Sequence, residues 1–359
     1  MDYNNYFAGK RVLVTGHTGF KGSWLTMMLN ILGSKVIGYS LDPKNLYDNF
    51  NVLNLGNSII DVRGDIRDYG KLKSIIDQYK PEIIFHLAAQ PLVRLSYEIP
   101  RDTFEVNLMG VVNILEAFRN SEESKTLVMI TSDKVYENKE WVWSYRENDQ
   151  LGGYDPYSAS KGASEIVCSA YQRSFFNPDS YEKHGKIIAT VRAGNVIGGG
   201  DWSRDRLIPD VIKSIEGNIP INIRNPGSIR PWQHVLDPLH GYLLLASKLH
   251  FKPKIFSGPW NFGPNKPQNT TVKELVNLII DYYGKGELKI NKQNMSVHES
   301  RFLSLDNSKA TAYLGWTPKL TIEDAASFTV QWYKSYKTNH ISNITKKQIE
   351  TFLNIKNEG

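Results

Sequence analysis

Apolar residues along the first half of the chain alternate between two patterns. Short, nearly continuous apolar runs at Arg11–Thr15, Lys35–Tyr39, Ser58–Val62, Glu82–Leu87, Thr126–Ile130 and Lys186–Val191 predict buried strands. Helical spacing separates them. Trp24, Leu25, Met28, Leu29 and Leu32 share one face of a helix expected over Phe20–Leu32, and Leu72, Ile75, Ile76 and Tyr79 share one face over Tyr69–Tyr79. Further helices are expected over Thr103–Asn120 and, behind Pro156, over about Tyr157–Phe176. Alternation of this kind, with strands apolar throughout, predicts an α/β fold built on a doubly wound parallel sheet covered on both faces.

The second half reads differently. Gly198, Gly199 and Gly200 are followed by prolines at 209, 220, 226, 231, 238, 253, 259, 264 and 267. Short helices are expected at Ile208–Glu216, His240–Lys248 and Val272–Tyr283, and a short amphipathic helix at about Thr345–Ile355. This predicts a cofactor-type domain over about 1–196, with later segments returning to it. A smaller, loop-rich α/β lobe over 197–359 completes a cleft.

Composition narrows the partners. The 359 residues carry 43 Lys plus Arg against 37 Asp plus Glu, a net charge of +6. That mild excess suits an anionic small molecule, and no Lys/Arg block supports nucleic acid as a partner. A single cysteine, Cys168, excludes an internal disulfide framework and a multi-Cys zinc site, and reads as a small buried hydrophobe. The histidines lack metal-site spacing, so no metal is expected. The longest greasy stretch, Gly241–Ala246, is far short of a membrane span, and the polar N-terminus lacks a basic region followed by an apolar one. A cytoplasmic protein with no membrane partner is therefore expected.

The first strand runs into Gly16-His-Thr18-Gly19-Phe20-Lys21-Gly22, and a helix follows. Glycines at this spacing between strand and helix let the backbone turn tightly and approach a pyrophosphate, which sits on the helix N-terminus. The plain alternative is a structural turn. The context points to a dinucleotide and a Rossmann-type sheet. Asp42 lies 20 residues past Gly22, where an acid bonds the adenosine ribose, although Asp-Pro is also an ordinary turn opener. No arginine stands near it in sequence to take a 2′-phosphate, and Lys44 is the only cation on offer, so NAD is favoured over NADP. Asp65 and Ile66, ending the third strand, suit an adenine edge or a surface turn equally.

Tyr157 and Lys161 are four apart, on one face of a helix. An ammonium beside a phenol stabilises the phenolate and makes tyrosine a usable base for an alcohol proton. Ser132 precedes Tyr157 by 25 residues at a strand's C-terminal end, where its hydroxyl can bond a reacting oxygen. Asp133 and Lys134 follow, readable as a solvated turn or as an acid–base pair. His86, on an apolar strand, reads as a satisfied core histidine. Trp141 and Trp143 suit a sugar pocket or packing.

With these motifs in hand, the chain from Arg11 to about Pro318 resembles the extended short-chain dehydrogenase/reductases that act on nucleotide sugars. Gly16–Leu25, Ala88–Arg94, Arg192–Trp202 and Arg230–His234 all fit that group. Within it, 4,6-dehydratases carry an acid and a base after the serine where 4-epimerases carry neither, and the lysine form seen here resembles the branch acting on CDP-linked glucose. The resemblance implies a tightly bound NAD, regenerated at each turnover. Gly16, Thr18, Gly19, Phe20, Lys21, Gly22, Asp42, Asp65, Ile66, Leu87, Ala88, Ala89, Gln90, Asn107, Tyr157 and Lys161 would hold it. It implies Ser132, Asp133, Lys134, Tyr157 and Lys161 as the reacting groups, with Asp133 protonated as an acid and Lys134 neutral as a base. It gives Arg94, Asn195, Arg206, Leu207, Arg230, Gln233, His298 and Arg301 to the nucleotide sugar, arginine suiting a diphosphate better than lysine. It implies a homodimer or homotetramer, packed through the helices of Asn107 and Tyr157. A 4-epimerase, a dehydratase of another nucleotide hexose and a non-catalytic NAD-binding regulator remain alternatives.

Overall fold

The computed structural model describes residues 3–223, 225–264, 270–290 and 302–355. Its central sheet has seven strands: β1 (Arg11–Thr15), β2 (Lys35–Ser40), β3 (Ile60–Arg63), β4 (Ile83–His86), β5 (Thr126–Ile130), β6 (Ile187–Ala193) and β7 (Gly258–Phe262). Their spatial order is β7-β6-β5-β4-β1-β2-β3, and every pairing is parallel. The order reverses between β1 and β4, so a crevice opens beyond the C-terminal ends of these two strands. The longer helices are α1 (Phe20–Ile31), α2 (Tyr69–Tyr79), α3 (Gly110–Arg119), α4 (Pro156–Phe175), α5 (Leu207–Glu216), α6 (Leu236–Leu249), α7 (Val272–Tyr283), α8 (Ile322–Ser335) and α9 (Ile341–Asn354).

Strand periodicity divides the core between the two faces. Val12, Val14, Phe85, Val128 and Val191 pack with Trp24, Met28 and Leu29 of α1 and Leu239, Leu243 and Leu245 of α6. Leu13, Ile84, Leu127 and Met129 point the other way, onto Leu72 and Ile76 of α2, Ile114 and Phe118 of α3, and Cys168 of α4. Full burial of such a side chain stabilises by about 1.5–3 kcal/mol, so both helical layers are held firmly against the sheet.

Two departures from the sequence expectation matter for the site. Gly258–Phe262 returns from the second half as the seventh strand. Pro259 obscures it in sequence, but β7 is an edge strand, where a missing N–H is tolerated. The helix expected over Thr103–Asn120 is not continuous. Pro100–Phe104 is α-helical, Glu105–Met109 is a π turn, and α3 follows. Asn107 lies in that π turn, and its carbonyl accepts from Ser164 Oγ at 2.9 Å on α4.

Candidate active site

The glycine loop is built by close approach. Gly16 has φ +74°, and a Cβ there would lie 2.8 Å from the Ala88 nitrogen. A Cβ on Gly22 would lie 2.1 Å from the Gly16 carbonyl oxygen. The loop therefore folds onto itself and onto the segment after β4 in a way only glycine permits. No side chain caps α1 at Gly19, so its first-turn N–H groups face the crevice for an anion. These features fit a dinucleotide pyrophosphate. Phe20 and Lys21 open the helix, both half-buried. Lys21 reaches further than the loop, into the charges of Arg206, Asp133, Lys161 and Asp201, and burial brings its amine down to about 8.

At the end of β2, Thr18 Oγ1 meets Ser40 Oγ at 2.8 Å and donates to the Leu41 carbonyl at 3.0 Å. The Asp42 side chain is 83% exposed, and Arg63 Nε lies 3.4 Å from it. This corrects the sequence expectation that Lys44 is the only cation available there. Arg63 comes from β3, whose register sets it beside Ser40. Asp65 is occupied by Arg67 through Nη2 at 2.7 Å, which holds its carboxyl below the ordinary range. Ile66 is buried in the core, and its carbonyl accepts from Asn113. After β4, Leu87, Ala88 and Ala89 lead to Gln90, whose backbone N–H donates to Asn107 Oδ1 at 2.8 Å. Asn107 Nδ2 donates to the Gln90 carbonyl and to Ser160 Oγ, so it ties this loop to α4.

The reacting groups converge from three elements. Asp155 caps α4, accepting from the Ser158 N–H at 2.9 Å, and Pro156 occupies the first turn. Tyr157 and Lys161 follow one turn apart, and both are buried. Burial raises the phenol's pKa, opposed by a hydrogen bond with Ser132. Burial lowers the Lys161 amine to about 8, and its Nζ donates to the Ile130 carbonyl at 3.3 Å. Ser132 caps a 3₁₀ turn, Asp133–Val135, accepting from the Lys134 N–H at 3.2 Å. Its hydroxyl donates to Asp133 Oδ1 at 3.1 Å. Asp133 is 5% exposed, and burial raises its pKa against the opposing charge of Lys134, the Ser132 hydrogen bond, and Lys21 and Arg230. Burial of this kind shifts a carboxyl toward its protonated form, the form that can donate a proton.

On the facing side, Gly194 packs on Pro231 and Asp133, and Asn195 is exposed beside it. Arg230 bears on Asp133. Arg206 pairs with buried Asp201 at 3.1 Å ahead of Leu207, which begins α5. Arg94 crosses to Asp205 at 3.1 Å. Gln233 is buried, its Nε2 donates to the Phe262 carbonyl at 3.0 Å, and its Oε1 has no hydrogen-bond partner among the described residues. His298 and Arg301 lie outside the described residues. His86 is a satisfied core histidine, its Nδ1 2.9 Å from Thr15 Oγ1. Trp141 stacks on Tyr145 at 5.3 Å, while Trp143 is exposed. Sequence reading missed Glu165 and Arg192, a buried ion pair at 2.8 Å beneath Lys161. Glu165 stands one turn past Lys161 on α4, and that spacing is the signal that could have found it. Among the described residues no group of three or more His, Cys, Asp or Glu side chains could hold a metal.

Residues 13–329 match the family described as GDP-mannose 4,6 dehydratase. A CDP-glucose 4,6-dehydratase of Salmonella typhimurium is 50% identical over 332 residues, 92% of each chain. A crystal structure of a dTDP-glucose 4,6-dehydratase from Streptomyces venezuelae with NAD and TYD bound superposes with a TM-score of 0.75. It is 25% identical and covers 90% of this chain and 97% of its own. The UDP-glucose 4-epimerase of Thermus thermophilus in complex with NAD is also 25% identical. Its TM-score is 0.77, with 90% of this chain and 99% of that one covered.

Proposed function

The chain belongs to the GDP-mannose 4,6 dehydratase family, and from that premise we propose that it converts CDP-D-glucose to CDP-4-dehydro-6-deoxy-D-glucose and water. The observation that carries this reading is a buried carboxyl, Asp133, and an adjacent amine, Lys134, beside the Tyr157–Lys161 helix. Oxidation at one carbon alone needs no such pair, and elimination of water does.

The glycine loop, the N-terminus of α1 and the Asp42 edge hold NAD, which when bound supplies the hydride acceptor for C4 and the hydride donor for C6. Ser132 orients the sugar 4-oxygen, and Tyr157 takes its proton. The charged Lys161 steadies Tyr157 as the phenolate that accepts this proton and becomes the phenol. The 4-ketone acidifies the C5 proton, and Lys134 removes it. Asp133 gives its proton to the C6 hydroxyl, which leaves as water. Arg94, Arg206 and Arg230 face the nucleotide diphosphate, and Asn195 and Leu207 flank it. The half of the chain up to about residue 196 serves the cofactor, and the remainder serves mainly the nucleotide sugar.

The product feeds deoxysugar synthesis for surface polysaccharide, and the protein works in the cytoplasm as a homo-oligomer. No helix among the described residues is long and apolar enough to cross a membrane. The test is a panel of CDP-, dTDP-, UDP- and GDP-hexoses followed by product mass and sugar NMR. Loss of one water from CDP-glucose, without net cofactor reduction, is the expected result. Inversion at C4 with unchanged mass would make the protein an epimerase. Bound NAD without turnover of any sugar would make it a regulator.

A further inference from the structure

Three separate elements carry the five reacting groups: α4 carries Tyr157 and Lys161, β5 leads into Ser132, and the turn Asp133–Val135 carries the acid and the base. One buried carboxylate joins all three. Glu165 Oε1 accepts from Thr131 Oγ1 at 2.5 Å, beside Ser132. Its Oε2 accepts from Thr190 Oγ1 at 2.7 Å and from Arg192 Nη2 at 2.8 Å. Arg192 Nη1 then donates to the Tyr136 hydroxyl at 2.7 Å and to the Glu147 carbonyl at 3.0 Å. Tyr136 directly follows the acid–base turn, and its hydroxyl donates to Asn261 Oδ1 at 2.8 Å on β7. The ion pair is almost wholly enclosed, at 2% and 3% side-chain exposure. Such a pair is a poor way to fill a core, because apolar residues of similar volume do as well or better. Its position under the reacting groups gives it another use.

Among the described residues, four titratable groups besides Tyr157 bear on Lys161. Glu165 and Cys168 come from its own helix, Lys21 from α1 and His86 from β4. Burial pushes the Cys168 thiol well up and the His86 imidazole well down, so both are neutral near pH 7. Lys21 is a like charge. Of these four, Glu165 supplies the standing negative charge to the amine, and Tyr157 adds one only as phenolate during proton transfer. We propose that Glu165 is a positioning residue. Its carboxylate keeps Lys161 charged and, through Arg192 and Tyr136, fixes the Asp133–Val135 turn against the helix that bears Tyr157. The proposal rests on the dehydratase reading for the roles of these groups, but its electrostatic half can be measured without turnover.

The experiment compares the purified full chain with Glu165→Gln and Tyr136→Phe. Competitive labelling of Lys161 with an amine reagent across pH, read by peptide mass, gives the half-point of its titration. The half-point in Glu165→Gln is expected to fall by about one pH unit, a tenfold change in proton affinity. The alkaline limb of kcat with CDP-glucose is expected to move with it. Tyr136→Phe is expected to leave the half-point in place and to lower kcat about tenfold with KM unchanged, as for a lost positioning contact, while the melting temperature falls by a few degrees for the buried partners left unpaired. An unchanged half-point in folded Glu165→Gln would overturn the proposal. Should that variant not fold, wild-type kcat in Tyr136→Phe would overturn it instead. A wild-type chain that dehydrates no nucleotide hexose would refute the dehydratase reading, while the labelling would still decide the role of Glu165.

Discussion

Lys134 follows Ser132 and Asp133 in a turn whose backbone N–H is taken by the serine hydroxyl, so the base and the acid are fixed by the same cap. Removing the amine should stop elimination without undoing binding. Lys134→Gln is expected to lower kcat with CDP-glucose by about 10²–10⁴-fold, the usual worth of a positioned base, with KM within about threefold. Solvent deuterium at C5, followed by NMR, should enter far more slowly than in the unaltered protein. Incorporation at the original rate would remove Lys134 from its role. Tyr157, Lys161, Ser132, Asp133 and Lys134 were all legible in the sequence because their relations are local, a helical turn or a strand end. Arg63 beside Asp42 was not, because it depends on the β2–β3 register. Gln233 is placed near the cleft by its motif, and the contact of its Nε2 with the Phe262 carbonyl of β7 was not legible because it joins distant segments.

At the scale of elements, the strand-to-helix turn after β1 is the most demanding piece of backbone. Gly22→Ala would set a methyl 2.1 Å from the Gly16 carbonyl oxygen, a backbone atom with no side-chain freedom to yield. The loop must open, and the variant should lose NAD affinity at least tenfold while costing about 1–3 kcal/mol of stability as an overpacked site. Calorimetric titration with NAD and urea unfolding would check both, and unchanged values in both would contradict the close packing. β1, β2, β4, β5 and β6 were legible from apolar runs because buried parallel strands leave no polar face to confuse the pattern, and the edge strand β3, only partly buried, was legible with its bounds shifted. The seventh was not, because an edge strand admits Pro259. The π turn at Asn107 was also hidden. It arises from the contacts of Asn107 with Gln90, Ser160 and Ser164, which local periodicity cannot report.

The whole molecule stores acid sensitivity in its interior. His240 is buried, its Nδ1 2.8 Å from the Tyr3 hydroxyl, and burial brings its imidazole down to about 3. An unfolded histidine takes a proton near 6.5, so the stability His240 contributes is present above that value and is lost as pH falls from about 6.5 toward 3. Between pH 7.5 and 5 the difference in unfolding free energy between His240→Gln and the unaltered chain should move by about 2 kcal/mol in favour of the variant. Urea midpoints at the two pH values measure it, and a constant difference would show that the histidine is not the source. Asp237, with its carboxyl raised to about 7 by burial, acts in the opposite sense in both chains and cancels in the comparison. At the surface, Phe104, Met109 and Ile166 are exposed apolar residues on or next to the segments that carry Asn107 and Tyr157. A second copy covering them would explain their exposure. Met109→Lys is expected to shift sedimentation toward the monomer, and an unaltered sedimentation coefficient would put the subunit contact elsewhere.

The central claim is that one active site oxidises C4, eliminates water across C5 and C6, and reduces C6 with the hydride taken from C4. CDP-glucose deuterated at C4 tests this most directly. The label is expected at C6 of the 4-keto-6-deoxy product, within the same molecule and with none lost to free cofactor. Deuterium retained at an inverted C4, or released to solvent, would contradict it.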